Sequence, residues 1–238
     1  MIKGIIASGA AMRPTMLAQE VLANNLANAS TKGFRQDRIA FQQLMTDQQP
    51  ANPGEDVATA PQLSTSIDTT AGAYQVTDRT LDLAVQGDGF FVVQTPDGEL
   101  YTRSGHFQVS AEGTITTPDG HPVLADGGPI TINDAANLRV TADGRIYEND
   151  TAIGQMTVVT FEEGTALTHA GAGLLSAAGE AVPSLEAKVM QGALEGPNVE
   201  PVQAMVEMIT LMRHFEMNQK ALQTQDESLG NLLAWVKA

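Results

Sequence analysis

The chain has 238 residues, 42% of them hydrophobic but only 5% aromatic, so its core must be built from Val, Ile, Leu, Met and Ala, and a large aromatic-lined ligand pocket is not expected. Thirteen basic residues against twenty-eight acidic ones give a net charge of −15, which repels nucleic-acid phosphates and anionic lipid headgroups. With no cysteine, a disulfide, a thiolate metal site and a cysteine nucleophile are all excluded.

From Ile2 to about Ala29 the sequence is rich in Ala, Leu, Met and Gln, and Ile5, Met12, Met16, Ala23 and Leu26 recur at helical spacing. Pro14 removes a backbone donor and predicts a kink, or a restart of the helix between Arg13 and Thr15. Arg13 and Pro14 also cut the apolar run before a secretory core or a membrane span is complete, so any export is expected to proceed without a cleaved signal. Asn24, Asn25, Leu26, Ala27 and Asn28 lead into a Ser, Thr and Gly cluster that ends the helix, with Gly33 the natural left-handed residue.

Residues 36–73 carry Pro50, Pro53, Gly54 and Pro61 with little periodicity, and read as an extended link. Over 74–190 the character changes to short alternating strands separated by Asx-Gly pairs, among them Asp97-Gly98, Asp119-Gly120 and Asp143-Gly144. Such pairs supply the positive φ that tight hairpins need, and their regular spacing predicts a mainly β, antiparallel domain. The run Phe90-Phe91-Val92-Val93 is apolar on both faces and should be central.

Residues 191–238 return to helical patterning. Met208, Phe215, Leu222, Leu229 and Val236 stand seven apart, with Met205, Met212, Gln219, Asp226 and Leu233 as partner positions. Pro201 suits a first helical turn, and a pattern this long suggests a coiled coil or packing between subunits. The five methionines from Met190 to Met217 are flexible enough for an interface with non-identical neighbours. Two striped helices flanking a self-sufficient β domain must cover their apolar faces, because an isolated helix is marginal in water. Periodicity alone leaves open whether they pack on the β domain or on other copies.

Three segments carry a resemblance that tips this balance. They are Asn24-Asn25-Leu26-Ala27-Asn28-Ala29-Ser30-Thr31-Lys32-Gly33-Phe34-Arg35, then Leu81 to Val93 (with Gly87, Gly89, Phe90 and Phe91) followed by Tyr101 to Phe107, and Leu194 to Val202 with Asn198 and Val199. In this order they resemble the flagellar basal-body rod and hook proteins, and the length with Asp119 to Leu124 and Gly128-Pro129-Ile130 looks most like a proximal rod subunit, with a distal rod or hook-type subunit as the alternative. The resemblance implies a structural subunit of the basal-body rod, with a β domain facing outward and terminal helices that pair in an inner layer after being unfolded in the free subunit. It also implies export through the flagellar type III apparatus, a place in the rod crossing the periplasm, and other rod and hook-type subunits as partners. Ile5, Met12, Met16, Leu26, Met208, Met212, Phe215, Leu222, Leu229 and Leu233 are then the expected assembly interface.

Catalytic chemistry leaves no linear trace. His106, His121, His169 and His214 are scattered singly without metal-ligand spacing, three of them beside Gly, Pro or Thr in apparent loops, and most are expected at the surface. Gly87-Asp88-Gly89 lacks the third glycine and following helix of a dinucleotide fingerprint. No enzyme activity, cofactor, metal, small-molecule substrate, nucleic acid or membrane insertion is expected.

Overall fold

The N-terminal Ala- and Leu-rich segment forms one helix, α1 (Ile2–Ala27), in a computed structural model that describes residues 2–42, 62–133, 137–162, 164–184 and 186–237. The kink or restart anticipated at Pro14 does not divide it: Pro14 sits inside a continuous helix, since a proline forfeits one donor while the neighbouring ladder can still close around it. The second helix, α2 (Pro201–Lys237), begins at Pro201, where the missing N–H would have had no intrahelical partner in any case. The stretch read as an extended link contributes two paired strands, Asp37–Gln42 and Gln62–Ile67, while residues 43–61 lie outside the described residues.

The chain falls into two units. The helical unit comprises Met1–Ala27, Asp37–Ser66 and Glu200–Ala238, and the β unit comprises Asn28–Gln36 with Ile67–Val199. Within the helical unit α1 and α2 lie against each other.

The β unit is antiparallel throughout its main sheet, whose six strands run in the order Leu167–Gly171, Leu174–Ala177, Gly98–Thr102, Phe90–Thr95, Val158–Thr160 and Val182–Pro183. The doubly apolar strand Phe90–Thr95 is central, as its pattern requires. Phe91 and Val93 enter a cluster with Phe107, Ile115, Val123 and Ile146, while Val92 packs on the opposite side with Leu124 and Val159. Phe91 is fully buried and meets Phe107 edge-on, with ring centroids 5.3 Å apart. Burial of such a side chain stabilises the unit by about 1.5–3 kcal/mol.

Shorter ladders frame this sheet. Leu83–Gln86 pairs with Lys188–Gln191, Tyr74–Val76 with Ala193–Glu195, and Leu138–Val140, Arg145–Glu148 and Thr151–Gln155 form a three-stranded sheet. The turn chemistry is shifted at one hairpin. Thr95 pairs with Gly98, so Pro96 and Asp97 make the two-residue loop and Gly98, at φ 127°, opens the next strand. Pro96 fixes its own φ at the loop's first position, which places the turn one residue earlier than the Asp-Gly pair suggests.

Candidate functional site

Two arrangements gather the residues singled out by sequence, one in each unit. In the helical unit, the described side chains of α2 with reduced exposure are Ala204, Met208, Leu211, Phe215, Asn218, Leu222 and Gln225, an alternating four-and-three spacing that draws a coiled-coil seam. Met208, Phe215 and Leu222 therefore lie on this seam within the chain. Their companions do not: Met205 and Met212, read as partner positions, are 49% and 50% exposed, and the inner places are taken by Ala204 and Leu211. A spacing of seven is satisfied by either companion set, and only the facing helix decides between them.

Val202, Met205, Val206, Ile209 and Met212 form a second apolar face on α2. At about 100° per residue they point away from the seam, and Ile209 is 52% exposed. Among the described side chains of α1, Val21 and Asn25 are buried and Met12 and Leu26 half-buried, whereas Met16 and Ala23 face water. Ile5, Leu229 and Leu233 lie on the helices, and their side chains fall outside the described residues. Asn25 holds the end of α1 by a reciprocal pair of bonds: its Nδ2 donates to Asp37 O and its Oδ1 accepts from Asp37 N–H, each at 2.9 Å. Asn25 thus has a structural duty that its place in an Asn-rich helix end hinted at.

In the β unit the three sequence segments converge on one carboxylate. Glu195 Oε1 accepts from Arg35 Nη2 at 2.7 Å and from Gly72 N–H at 2.9 Å, and Oε2 lies 3.4 Å from Arg103 Nη1. All three charged side chains are almost wholly buried. Arg103 also donates to Val85 O at 3.0 Å and to Gly87 O at 2.7 Å, and its guanidinium carbon lies 5.1 Å from the Phe90 ring centroid. Burial pulls the Arg103 pKa below its ordinary value, with Glu195 opposing that shift. Two guanidinium groups on one carboxylate leave an excess positive charge in the interior, so the carbonyl acceptors and the Phe90 ring are needed to offset desolvation.

Gly33 and Asn198 complete this junction. Gly33, at φ 69°, passes so close to the neighbouring chain that a Cβ there would lie 2.3 Å from Ser104 N, which explains glycine on both steric and conformational grounds. Its N–H donates to Glu195 O at 2.8 Å. Asn198 accepts from Gln36 N–H at 2.7 Å and donates to Asp68 O at 2.9 Å. Phe34 and Val199 are buried, Gly87 takes φ 87°, and Gly89 packs so tightly that a Cβ would meet Val158 Cγ1 at 2.6 Å. Arg35, Arg103 and Glu195 each stand within one of the three motif segments but were not among the expected site residues, since Lys32, Asp82, Asp88 and Glu200 in the same segments carry charge as well.

The histidines are more engaged than isolated surface residues. His106 Nδ1 is 3.0 Å from Asp82 Oδ1, and the His169 ring, within the strand Leu167–Gly171 and not in a loop, stacks on Phe34 at 5.1 Å.

A β unit fastened by buried charges beside a long helix with one apolar face left exposed is the architecture of a structural protein with surface for a neighbour to cover. Residues 7–35 match the family described as "Flagella basal body rod protein", residues 84–148 the "Flagellar hook protein FlgE/F/G D1 domain", and residues 190–234 the "Flagellar basal body rod FlgEFG protein C-terminal". The chain is 39% identical over 246 residues to the flagellar basal-body rod protein FlgF of Salmonella typhimurium, covering 94% of each. It is 38% identical to FlgF of Escherichia coli over 94% of each chain, and 33% identical to the rod protein FlgG of Bacillus subtilis over 98% of each. The chain belongs to the flagellar basal-body rod protein family and is a structural subunit of that rod, most like FlgF.

Proposed function

We propose that the chain occupies the proximal part of the rod, where it polymerises through α1 and α2 against other rod and hook-type subunits. The observation that carries this reading is the outer face of α2: Val202, Met205, Val206, Ile209 and Met212 present apolar surface that the seam with α1 leaves in water. Covering it stabilises a polymer by about 25 cal/mol for each Å2 buried, less the cost of ordering the helices. The expected interface residues then have two roles. Met208, Phe215 and Leu222 hold the helix pair, and Met205, Met212 and Met16 offer themselves to neighbours.

The same reading takes the subunit out of the cytoplasm as an unfolded chain through the flagellar export apparatus, without a cleaved signal, into a rod that crosses the periplasm. A sequence without cysteine cannot cross-link on that route. The role is mechanical, with no enzyme activity, small-molecule substrate, nucleic acid or membrane insertion. Among the described residues no helix is long and apolar enough to cross a membrane. Identity to FlgF relatives at 39% and 38%, against 33% for a FlgG relative, favours the proximal position.

Basal bodies extracted from a strain carrying an epitope-labelled copy test this directly. The label is expected on the half of the rod nearest the inner membrane, and a strain without the chain is expected to be non-motile. A label confined to the distal half would assign the subunit there, and complete rods in the deleted strain would overturn the structural role.

A further inference from the structure

Between α1 and the strand Asp37–Gln42 the chain leaves the helical unit, joins the β unit over Asn28–Gln36, and returns. The grip of this segment is specific. Gly33 N–H donates to Glu195 O at 2.8 Å, Arg35 Nη2 donates to Glu195 Oε1 at 2.7 Å, and Gln36 N–H donates to Asn198 Oδ1 at 2.7 Å. The Phe34 ring stacks on His169, and Asp68 N–H donates to Gln36 O at 2.9 Å. Each of these partners belongs to the β unit itself.

The helices are held differently. Their stability rests on a seam that includes Asn218 and Gln225, and an unpaired helix is marginal in water. The segment 28–36 has buried ion pairing, backbone bonds and a glycine whose backbone runs against Arg103 and Ser104. We infer that residues 28–36 form a strap, clasped by Glu195, that stays folded on the β unit whether or not α1 and α2 are paired. The folded core of a free subunit is then two-piece, residues 28–36 with 67–199, and α1 is tethered to it at Asn28.

The charge count at the clasp shows how to release the strap without dismantling the unit. Arg103 keeps its bonds to Val85 O and Gly87 O when Arg35 is removed, and Glu195 with Arg103 is then a neutral pair. Arg35→Met therefore unfastens the strap and leaves the remaining pair balanced.

Amide hydrogen exchange on the full-length chain reads this out. In the unaltered protein Gly33 and Gln36 N–H are expected to exchange as slowly as Ile115 and Val123 N–H of the β core, and more slowly than α1. Arg35→Met is expected to speed exchange at Gly33 and Gln36 about a hundredfold, with Ile115 and Val123 unchanged. Leu222→Asp, which places a charge on the helix seam, is expected to leave strap exchange within about twofold. Strap amides that exchange with α1, or that speed up in Leu222→Asp, would show that the strap belongs to the helices and would overturn the inference. So would an Arg35→Met protein with unchanged strap exchange, or one whose β-core amides lose protection together with the strap.

Discussion

In the β unit Phe91, Val93, Phe107 and Ile115 expose 1% of their surface or less, whereas on α2 Met205 and Ile209 leave about half of theirs in water. The helix α2 is, if anything, the richer in large apolar residues, and the two regions differ in where those residues find partners. Alternation on a strand sends side chains to two sides of a sheet, and this sheet is covered on both by elements of its own unit. A long helix that packs along one partner covers one stripe, and a second stripe remains for something else. The tightest packing is therefore in the β unit, and the uncovered apolar surface lies on α2.

The sharpest way to break this division is to damage the β unit where its backbone is tightest. A Cβ at Gly105 would lie 1.6 Å from Leu83 O, inside a bridge where Leu83 N–H donates to Gly105 O at 3.0 Å. Gly105→Val is expected to cost about 4 kcal/mol or more, and urea unfolding should show the β unit lost or barely stable. A variant that unfolds at the original urea concentration would mean that the Gly105 segment can move away from Leu83 freely. Next in size is Glu195→Ala, which strands Arg35 and Arg103 as buried cations and is expected to destabilise by about 3–5 kcal/mol. If its loss were below about 1 kcal/mol, the clasp would be hydrated and not the fastening inferred from its burial.

The two units were also unequally legible. The β unit was predictable from Phe90 to Val93 and from the Asp-Gly spacing, because turn chemistry and alternation are local properties of the chain. Glu195 was not: its partners Arg35 and Arg103 are remote in sequence, and nothing local distinguishes a buried carboxylate from a solvated one. On α2 the positions Met208, Phe215 and Leu222 were readable from their spacing, but the choice of Ala204 and Leu211 over Met205 and Met212 depends on where α1 lies. On α1 the stripe divides for the same reason, with Met12 and Leu26 half-buried and Met16 and Ala23 exposed. Met16 and Ala23 fit a helical period as well as Val21 and Asn25 do, and in an Ala-rich helix the pattern is too flat to choose.

Leu222→Asp moves the test from stability to assembly. The side chain is half-buried on the seam, so a charge there is expected to weaken helix pairing and leave the β unit's urea transition within about 0.5 kcal/mol of the original. Cells carrying only this variant are expected to lose motility, because the helix pair cannot be incorporated. Motile cells would show that the seam is dispensable in the rod.

Ile209→Ser should have the smallest effect on the isolated subunit. Ile209 is 52% exposed on the face of α2 opposite the seam, so the change removes little burial within the subunit, and circular dichroism and urea unfolding are expected to shift by no more than about 0.5 kcal/mol. In the polymer the same methyl groups would be covered by a neighbour, and removing them forfeits about 1–3 kcal/mol at every copy. Because an assembly repeats each contact, a loss of this size should reduce rod incorporation and motility even though the monomer looks unchanged. Equal loss of stability in monomer and polymer would place Ile209 in an intrasubunit contact. Unchanged incorporation would mean that the outer face of α2 faces solvent in the rod, and that neighbours bind through α1 instead.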